Sequence, residues 1–457
     1  MPEPAEPLDA IVIGSGQGGV PLAVALARSG KRVVLFERGA LGGTCVNAGC
    51  TPSKSFLAAA HAAGRARNAR RLSVSATLAI DVPAIFERVR RLRCEWREGV
   101  EAKLAAAKVE VVHAAAAFVG ERTVAGGGRT LVAPLVIIDT GGYAAVPPIP
   151  GLAGTPFLTN ENFFDQTALP KRLIVLGGGY VGLELGQGVR RLGSEVTVVH
   201  AAERVMDREE PDAGLALEDA LREDGVALQL GARATGVTQR AGEFVVELEG
   251  GGRVAGDGLL VATGRIPNTA QLATHLGGIA CRTGGYIDVD DYLQTSCPGV
   301  YALGDVAGQP AFTHVAWEDH RRILSTLAGK PRRRDDRPLA YTTFTEPQLA
   351  RVGLTEAQAR AAGFDARAET LLLSDVARAI EWDVERGFFR LVVDRANDRI
   401  LGATFVGYEC GEVIHVAIAL IEAGATWREL AASMYVHPTL AEGLPTLARQ
   451  FGEPTPT

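Results

Sequence analysis

Cysteine and histidine are scarce in this chain, with six and eight in 457 residues. That scarcity excludes a disulfide scaffold, which is dense in paired cysteines, and a zinc-ribbon protein, which clusters its ligands. Long apolar runs are missing too: none approaches the roughly 20 residues of a membrane span. There is no surplus of positive charge, because 47 Lys and Arg face 53 Asp and Glu for a net charge of −6. The basic runs Arg88 to Arg97 and Arg332 to Arg337 are interleaved with Glu95, Glu98, Asp335 and Asp336. Such mixed stretches are solvated faces, so no nucleic-acid partner is expected. Met1 to Asp9 is acidic and Pro-containing, without the basic and apolar parts of a secretory signal. The expectation is a cytoplasmic protein with no membrane partner.

Glycine is abundant, at 54 residues, but follows no fixed period, so it serves local backbone purposes. The length suggests about three domains. Some of the glycines belong to an internal repeat. Ala10 to Glu37 reads as strand, Gly-rich turn, helix and strand, and Leu173 to His200 repeats that order at a constant offset. Gly14, Gly16 and Gly19 pair with Gly177, Gly179 and Gly182, and Gly30 with Gly193 at the helix end. In G-x-G-x-x-G the first glycine makes a tight turn, the second admits a pyrophosphate and the third lets helix and strand approach. The phosphates then meet free N–H groups at the helix N-terminus. Two copies in register imply two dinucleotides.

The residue that ends each second strand should meet the adenosine ribose. In the first copy it is Glu37, which accepts from both ribose hydroxyls and repels a 2′-phosphate, so FAD or NAD fits. In the second it is His200, followed by Arg204, with no carboxylate at that position. This leans towards NADPH, with NADH left open.

The close cysteine pair lies in Gly43-Thr44-Cys45-Val46-Asn47-Ala48-Gly49-Cys50. On a regular helix, residues at this spacing have Cα atoms about 8.7 Å apart, beyond the ~7 Å that a disulfide tolerates. A bridge therefore needs a bent backbone. Gly42, Gly43 and Gly49 provide the flexibility and Asn47 suits a turn. Zinc is the poorer reading, because Cys94, Cys281, Cys297 and Cys410 are isolated in sequence. No resident metal is expected.

With its partners in order, this segment resembles the class I FAD and pyridine-nucleotide disulfide oxidoreductases, the family of glutathione reductase, dihydrolipoamide dehydrogenase and mercuric reductase. The resemblance rests on Gly14 to Gly19, on Gly43 to Cys50 with Pro52-Ser53-Lys54, and on Gly177 to Glu184. It continues through Ala262-Thr263-Gly264-Arg265-Ile266-Pro267-Asn268, Ala302-Leu303-Gly304-Asp305 and His437-Pro438-Thr439-Leu440-Ala441-Glu442. It implies an α/β fold with two Rossmann-like dinucleotide-binding domains and a C-terminal α+β dimerisation domain. The implied limits are 1–150 with 269–338 for FAD, 151–268 for NAD(P), and 339–457 for the interface. A long helix is expected over Phe86 to Val109.

For the site, the resemblance implies that FAD lies on the first fingerprint with Gly43, Thr44, Gly141 and Asp305, the last at the ribityl chain. The nicotinamide nucleotide lies on the second fingerprint with Gly264. Electrons pass from nicotinamide through flavin to the Cys45/Cys50 disulfide. Cys50 is the thiolate at the flavin and Cys45 the outward thiol that meets substrate. Lys54 and Glu184 form an ion pair near the flavin, and Tyr180 is an aromatic lid. His437 with Glu442 is the acid/base pair, acting on the thiols of the other subunit of a homodimer.

The acceptor is less clear from the sequence. Glu442-Gly443-Leu444-Pro445 and Ala262-Thr263-Gly264-Arg265 are similar to mercuric reductase, but Phe451 to Thr457 carries no vicinal cysteine pair, no added N-terminal metal-binding domain is evident, and His437 replaces an aromatic residue of that enzyme. A small-molecule disulfide ranks first as acceptor and a metal ion second. Dihydrolipoamide dehydrogenase activity and a non-catalytic FAD sensor rank lower.

Overall fold

The apolar runs Ala10–Ile13, Val33–Phe36 and Leu135–Ile138 are buried at every position, with no alternation between faces. Strands of that kind are covered on both sides. In the computed structural model, which describes residues 8–452, they form the middle of a five-stranded sheet. Its order is Val300–Ala302, Leu135–Ile138, Ala10–Ile13, Val33–Phe36 and Glu110–Val112, all parallel. Helix Gly19–Arg28 covers the sheet with Val20, Leu22, Ala23 and Leu26 buried. A second parallel sheet, in the order Val226–Gln229, Glu195–Val199, Arg172–Leu176 and Gly258–Val261, carries helix Tyr180–Arg191 in the matching place.

The repeat extends further than the residue pattern indicates. In both units the chain leaves the sheet edge and makes a three-stranded antiparallel excursion. These excursions are Ala116–Gly120, Thr123–Gly126, Arg129–Val132 and Ala234–Arg240, Glu243–Leu248, Arg253–Gly256. The chain then returns beside its own first strand. The end of the returning strand explains the first glycine of each fingerprint. A Cβ on Gly14 would lie 2.2 Å from the Asp139 carbonyl oxygen, and one on Gly177 would lie 2.3 Å from that of Ala262. Both glycines also have φ above +100°, at +103° and +113°, where only glycine is unstrained.

In the first unit, residues 37–109 are inserted between the second and third strands and carry the cysteine pair. The long helix in this insertion runs Val82–Ala106, not Phe86 to Val109. It starts earlier because Asp81 accepts from the Ala84 N–H at 3.0 Å and Pro83 stands in the first turn. It ends earlier because Lys108, at φ +59°, turns the chain towards Glu110–Val112.

The C-terminal unit is an antiparallel sheet in the order Ala340–Thr343, Gln348–Gly353, Ile400–Gly407, Phe388–Asp394 and Ala366–Leu372. Helices Cys410–Glu422, Trp427–Ala432 and Gly443–Arg449 accompany it. Among the described residues no helix is long and apolar enough to cross a membrane.

Two buried joints fix the units to one another. Phe56, one turn and a half beyond Cys50, meets Phe163 edge-on at 5.3 Å and stacks on Phe86 at 5.7 Å. The Phe56 ring also leaves only 2.9 Å for a Cβ at Gly188, so the helix that carries Cys50 docks on the helix of the second fingerprint. Nearby, buried Arg191 pairs with Asp224 at 2.7 Å and with Glu346 of the C-terminal unit. Truncating a fully buried Phe costs about 3–5 kcal/mol. Phe56→Ala should therefore lower stability to chemical denaturation by that amount and loosen the Cys50 helix. A loss below about 1 kcal/mol would show that this joint does not hold the two units.

Candidate active site around Cys45 and Cys50

The bend demanded by the cysteine spacing is present. Helix Gly43–Asn47 stops at Ala48, Gly49 leaves the helical region at φ −130°, ψ −117°, and a new helix, Cys50–Asn68, starts at the second thiol. Asn47 holds the break. Its side-chain amide donates to the carbonyls of Ala40, Leu41 and Gly43 at 3.2, 3.0 and 2.9 Å. Arg97, from the long helix, donates to the Asn47 Oδ1 at 2.7 Å, and Asn160 donates to the Ala48 carbonyl at 2.9 Å. Gly43 lies directly on the first fingerprint, where its Cβ would come 2.8 Å from Gly16 Cα.

Both cysteines are free thiols, and their surroundings make them unequal. The Cys45 thiol donates to Cys50, Thr313 Oγ1 lies 3.0 Å from the Cys50 sulfur, and Lys54 adds a positive charge, so Cys50 is lowered to about 6. Burial and Glu184 oppose that shift without cancelling it. Cys50 also opens a helix, where the free N–H groups favour a thiolate. Cys45 moves the opposite way, raised by its hydrogen bond to Cys50, by burial and by the neighbouring charge. In the dithiol form the remaining proton therefore sits on Cys45.

Lys54 and Glu184 form an ion pair at 2.8 Å. The ammonium of Lys54 also lies over the Phe344 ring at 4.5 Å, and the Phe344 N–H donates to Glu184 at 2.9 Å. Tyr180 opens the second fingerprint's helix, its ring 5.7 Å from Phe312. Phe312 in turn stacks on Tyr341 at 5.0 Å.

A cavity of about 1830 Å³ joins these groups to the first fingerprint. It runs from Gly14, Gly16 and Glu37 past Gly43, Thr44, Cys45 and Cys50 to Lys54, Tyr180 and Glu184, with Gly141 and Asp305 in its wall. Glu37 is fixed at the end of its strand by the Ser15 N–H at 2.9 Å, the Ser15 hydroxyl at 2.6 Å and the Gly39 N–H at 2.8 Å. Asp305 accepts from Arg265 at 3.0 Å. Gly141, at φ +63°, has open space where a Cβ would project. Gly19 lies behind the wall, in the first turn of its helix.

The second fingerprint forms a separate cluster. Gly177, Gly179, Gly182 and Gly264 surround the start of helix Tyr180–Arg191, with open space above Gly179 and little but a distant Ala145 beside Gly264. At the strand end of this unit, His200 is engaged by the turn itself. His200 Nδ1 accepts from the Gly178 N–H at 3.2 Å, and its Nε2 lies 3.6 Å from Asp207. The ring fills the place of a Gly178 Cβ, because the tight turn leaves an N–H that needs an acceptor. Arg204 is exposed on the same segment.

His437 Nδ1 is 2.8 Å from Glu442, but the imidazole is largely exposed and does not line the cavity. Its loop is pinned by Arg378, which donates twice to the Pro438 carbonyl at 3.0 and 2.6 Å. One copy of the chain thus assembles Cys45, Cys50, Lys54, Glu184 and Tyr180 and leaves the dyad apart. Residues that the sequence reading missed are Thr313, Phe312, Phe344, Arg97 and Asp139. Thr313 and Phe312 follow Asp305 closely, the only signal available. Asp139 stands two residues before Gly141, in the place of Ala262 in the second unit, while Phe344 and Arg97 come from distant segments. Among the described residues no group of three or more His, Cys, Asp or Glu side chains could hold a metal ion.

If hydrogen bonding lowers Cys50, Cys45→Ala should raise its titration midpoint and Thr313→Val should raise it by less. Thiolate ultraviolet absorbance against pH measures both. An unchanged midpoint in Cys45→Ala would rule out the thiol pair as the cause.

Comparison with known proteins gives consistent matches over nearly the whole chain. The family model for pyridine nucleotide-disulphide oxidoreductases matches residues 8–319, and that for their dimerisation domain matches residues 339–448. A mercuric reductase of Shigella flexneri is 36% identical over 97% of this chain and 80% of its own length. A dihydrolipoyl dehydrogenase of Thermus scotoductus is 35% identical over 95% of each. The HOCl-induced flavoprotein disulfide reductase RclA of Escherichia coli superposes with a TM-score of 0.88 at 32% identity, covering 96% of this chain and 99% of that one. Its Cu(II) complex gives 0.89 at 31% identity, over 98% of this chain and 100% of that one.

Proposed function

The chain belongs to the pyridine nucleotide-disulphide oxidoreductase family, and from that premise we propose that it takes electrons from NAD(P)H through FAD to Cys45 and Cys50, and from there to a small disulfide. The observation that carries this reading is the unequal thiol pair at the end of a cavity that begins on the first fingerprint. The lining suits FAD: Glu37, Gly141 and Asp305 all border the cavity, and Gly141 leaves open space where a Cβ would project. When bound there, the flavin supplies the two-electron relay between nicotinamide and the cysteine disulfide. Lys54, paired with Glu184, places positive charge in the cavity beside the thiols, and Tyr180 lines the same wall.

The proton balance favours a disulfide as acceptor. Cys45 retains its proton in the dithiol form, so it needs a base before it attacks a substrate sulfur. Attack then forms a Cys45 mixed disulfide and expels a thiolate, which needs that proton back. Cys50, as a thiolate, closes on Cys45 and expels the second substrate sulfur as a thiolate, which takes its proton from water. His437 held by Glu442 has the chemistry for both transfers. Because it is remote from the thiols of its own chain, we assign the work to His437 of the partner subunit in a homodimer, consistent with the dimerisation domain. A metal ion is the second reading. It is supported by the likeness to mercuric reductases and to a Cu(II)-bound reductase, and a soft ion would be received by the two thiolates.

We assign residues 1–150 and 269–338 to the flavin unit, 151–268 to the nicotinamide unit and 339–457 to the interface, and place the enzyme in the cytoplasm, where a thiol pair is kept reducible. For the nicotinamide nucleotide we keep NADPH, with Arg204 alone as the cation for a 2′-phosphate, since His200 is committed to the Gly178 turn.

The disulfide reading predicts that His437→Ala lowers kcat for disulfide acceptors by about 100-fold or more while changing metal-ion reduction little. Activity for disulfides should return when subunits of Cys45→Ala and His437→Ala are exchanged. Equal losses with both acceptors, or no recovery on exchange, would refute it. In steady-state kinetics, Arg204→Ala should raise KM for NADPH and leave KM for NADH unchanged. A higher efficiency with NADH in the unaltered enzyme would overturn the NADPH assignment.

A further inference from the structure

The two dinucleotide units differ at one buried position. Each returning strand ends in a residue followed by Thr-Gly, namely Asp139-Thr140-Gly141 in the first unit and Ala262-Thr263-Gly264 in the second. The carbonyls of Asp139 and Ala262 do the same work, closing over Gly14 and Gly177. The backbone role is therefore shared and the carboxyl is peculiar to the first unit. That carboxyl is buried, with only 7% of Asp139 exposed. Its Oδ2 accepts from the Gly19 N–H at 2.5 Å and lies where a Cβ on Gly16 or Gly19 would come within 2.6 and 2.8 Å. Helix Gly19–Arg28 has no side-chain cap from its own Gly18, so Asp139 caps it from across the sheet.

Among the described residues no cation is paired with this group. The charged side chains that bear on it are Asp305, in the turn Gly304–Ala307, and Asp319, in helix Thr313–Leu327. Both are acidic, and their own partners, Arg265 and Arg337, are spent on them. Burial and the two carboxylates push the Asp139 carboxyl well above the usual range, against the pull of the Gly18 and Gly19 amides.

We propose that Asp139 is a proton-linked positioning residue for the dinucleotide: the FAD pyrophosphate settles over the first fingerprint with the Asp139 carboxyl neutral, so flavin binding takes up a proton and weakens as pH rises. The inference rests on the assignment of FAD to the first fingerprint. An anionic pyrophosphate beside the carboxyl raises its affinity for a proton further. Flavin affinity is then full while the free protein is still protonated, and falls by at most about tenfold per pH unit between the free and bound titration midpoints.

The test is the dissociation constant of FAD for the flavin-stripped protein, read by flavin fluorescence from about pH 6 to about pH 9, with the melting temperature of the stripped protein as the check on folding. The unaltered chain should weaken by about tenfold or more across that range. Asp139→Asn, which is neutral and still accepts from Gly19, should show no such slope and bind FAD more tightly than the unaltered chain at the alkaline end. Asp139→Ala, which copies the second unit, should also lose the slope, and it carries the comparison if the Asn variant does not fold. The proposal falls if the unaltered chain shows no slope or if both variants keep it. Absence of FAD binding in every protein at every pH would instead remove the flavin assignment, and this inference with it.

Discussion

A disulfide cannot close across a continuous helix between residues at this spacing, and much of the site follows from that one constraint. The helix has to be interrupted between Cys45 and Cys50, and an interrupted helix leaves free carbonyls that need donors. Asn160 donates to the freed Ala48 carbonyl, while Asn47, held by Arg97 at its side-chain oxygen, ties the first short helix back to the Ala40 and Gly43 carbonyls. The break also starts a second helix at Cys50, which points free N–H groups at one sulfur only. The chemical inequality of the two thiols is thus a consequence of the same backbone geometry that lets them meet.

The position of the proton connects this local geometry to the assembly. With Cys50 lowered by Cys45, Thr313 and Lys54, the charge of the reduced pair lies on Cys50 and the proton on Cys45. Cys45 must lose its proton before it can attack. The base and acid proposed for that step, His437 with Glu442, sit on a separate loop held by Arg378. Rigidity comes from the buried joints. Phe56 against Gly188 and Arg191 between Asp224 and Glu346 hold the thiol helix to both neighbouring units, so the distance from thiol to nucleotide turn is set by packing and not by a loop.

The candidate site was legible in the sequence where chemistry is written as a local pattern. The glycines of both fingerprints, Cys45 with Cys50, and Lys54 all stand in short segments whose spacing carries meaning. Glu184 and Tyr180 were found because they adjoin the second glycine turn. His200 shows the limit of such reasoning. Its place at the strand end was right, but a side chain at that place has a choice between ligand and backbone, and only the geometry of Gly178 reveals that the turn claims it. Thr313, Arg97 and Phe344 were invisible because their partners lie far away in the chain.

The sequence by itself determined that the chain is α/β with two dinucleotide units and that its cysteine pair needs a bent segment, because each of these is encoded at short range by residue type and interval. The tertiary structure decided which thiol holds the proton, that His200 serves a turn, that the repeat includes an antiparallel excursion, and that a carboxyl lies buried beneath the first glycine turn where the second unit has a methyl group. Those outcomes depend on burial and on contacts across the chain, such as Gly19 with Asp139 and Cys50 with Thr313, and no local pattern records which side chain will fill a given space.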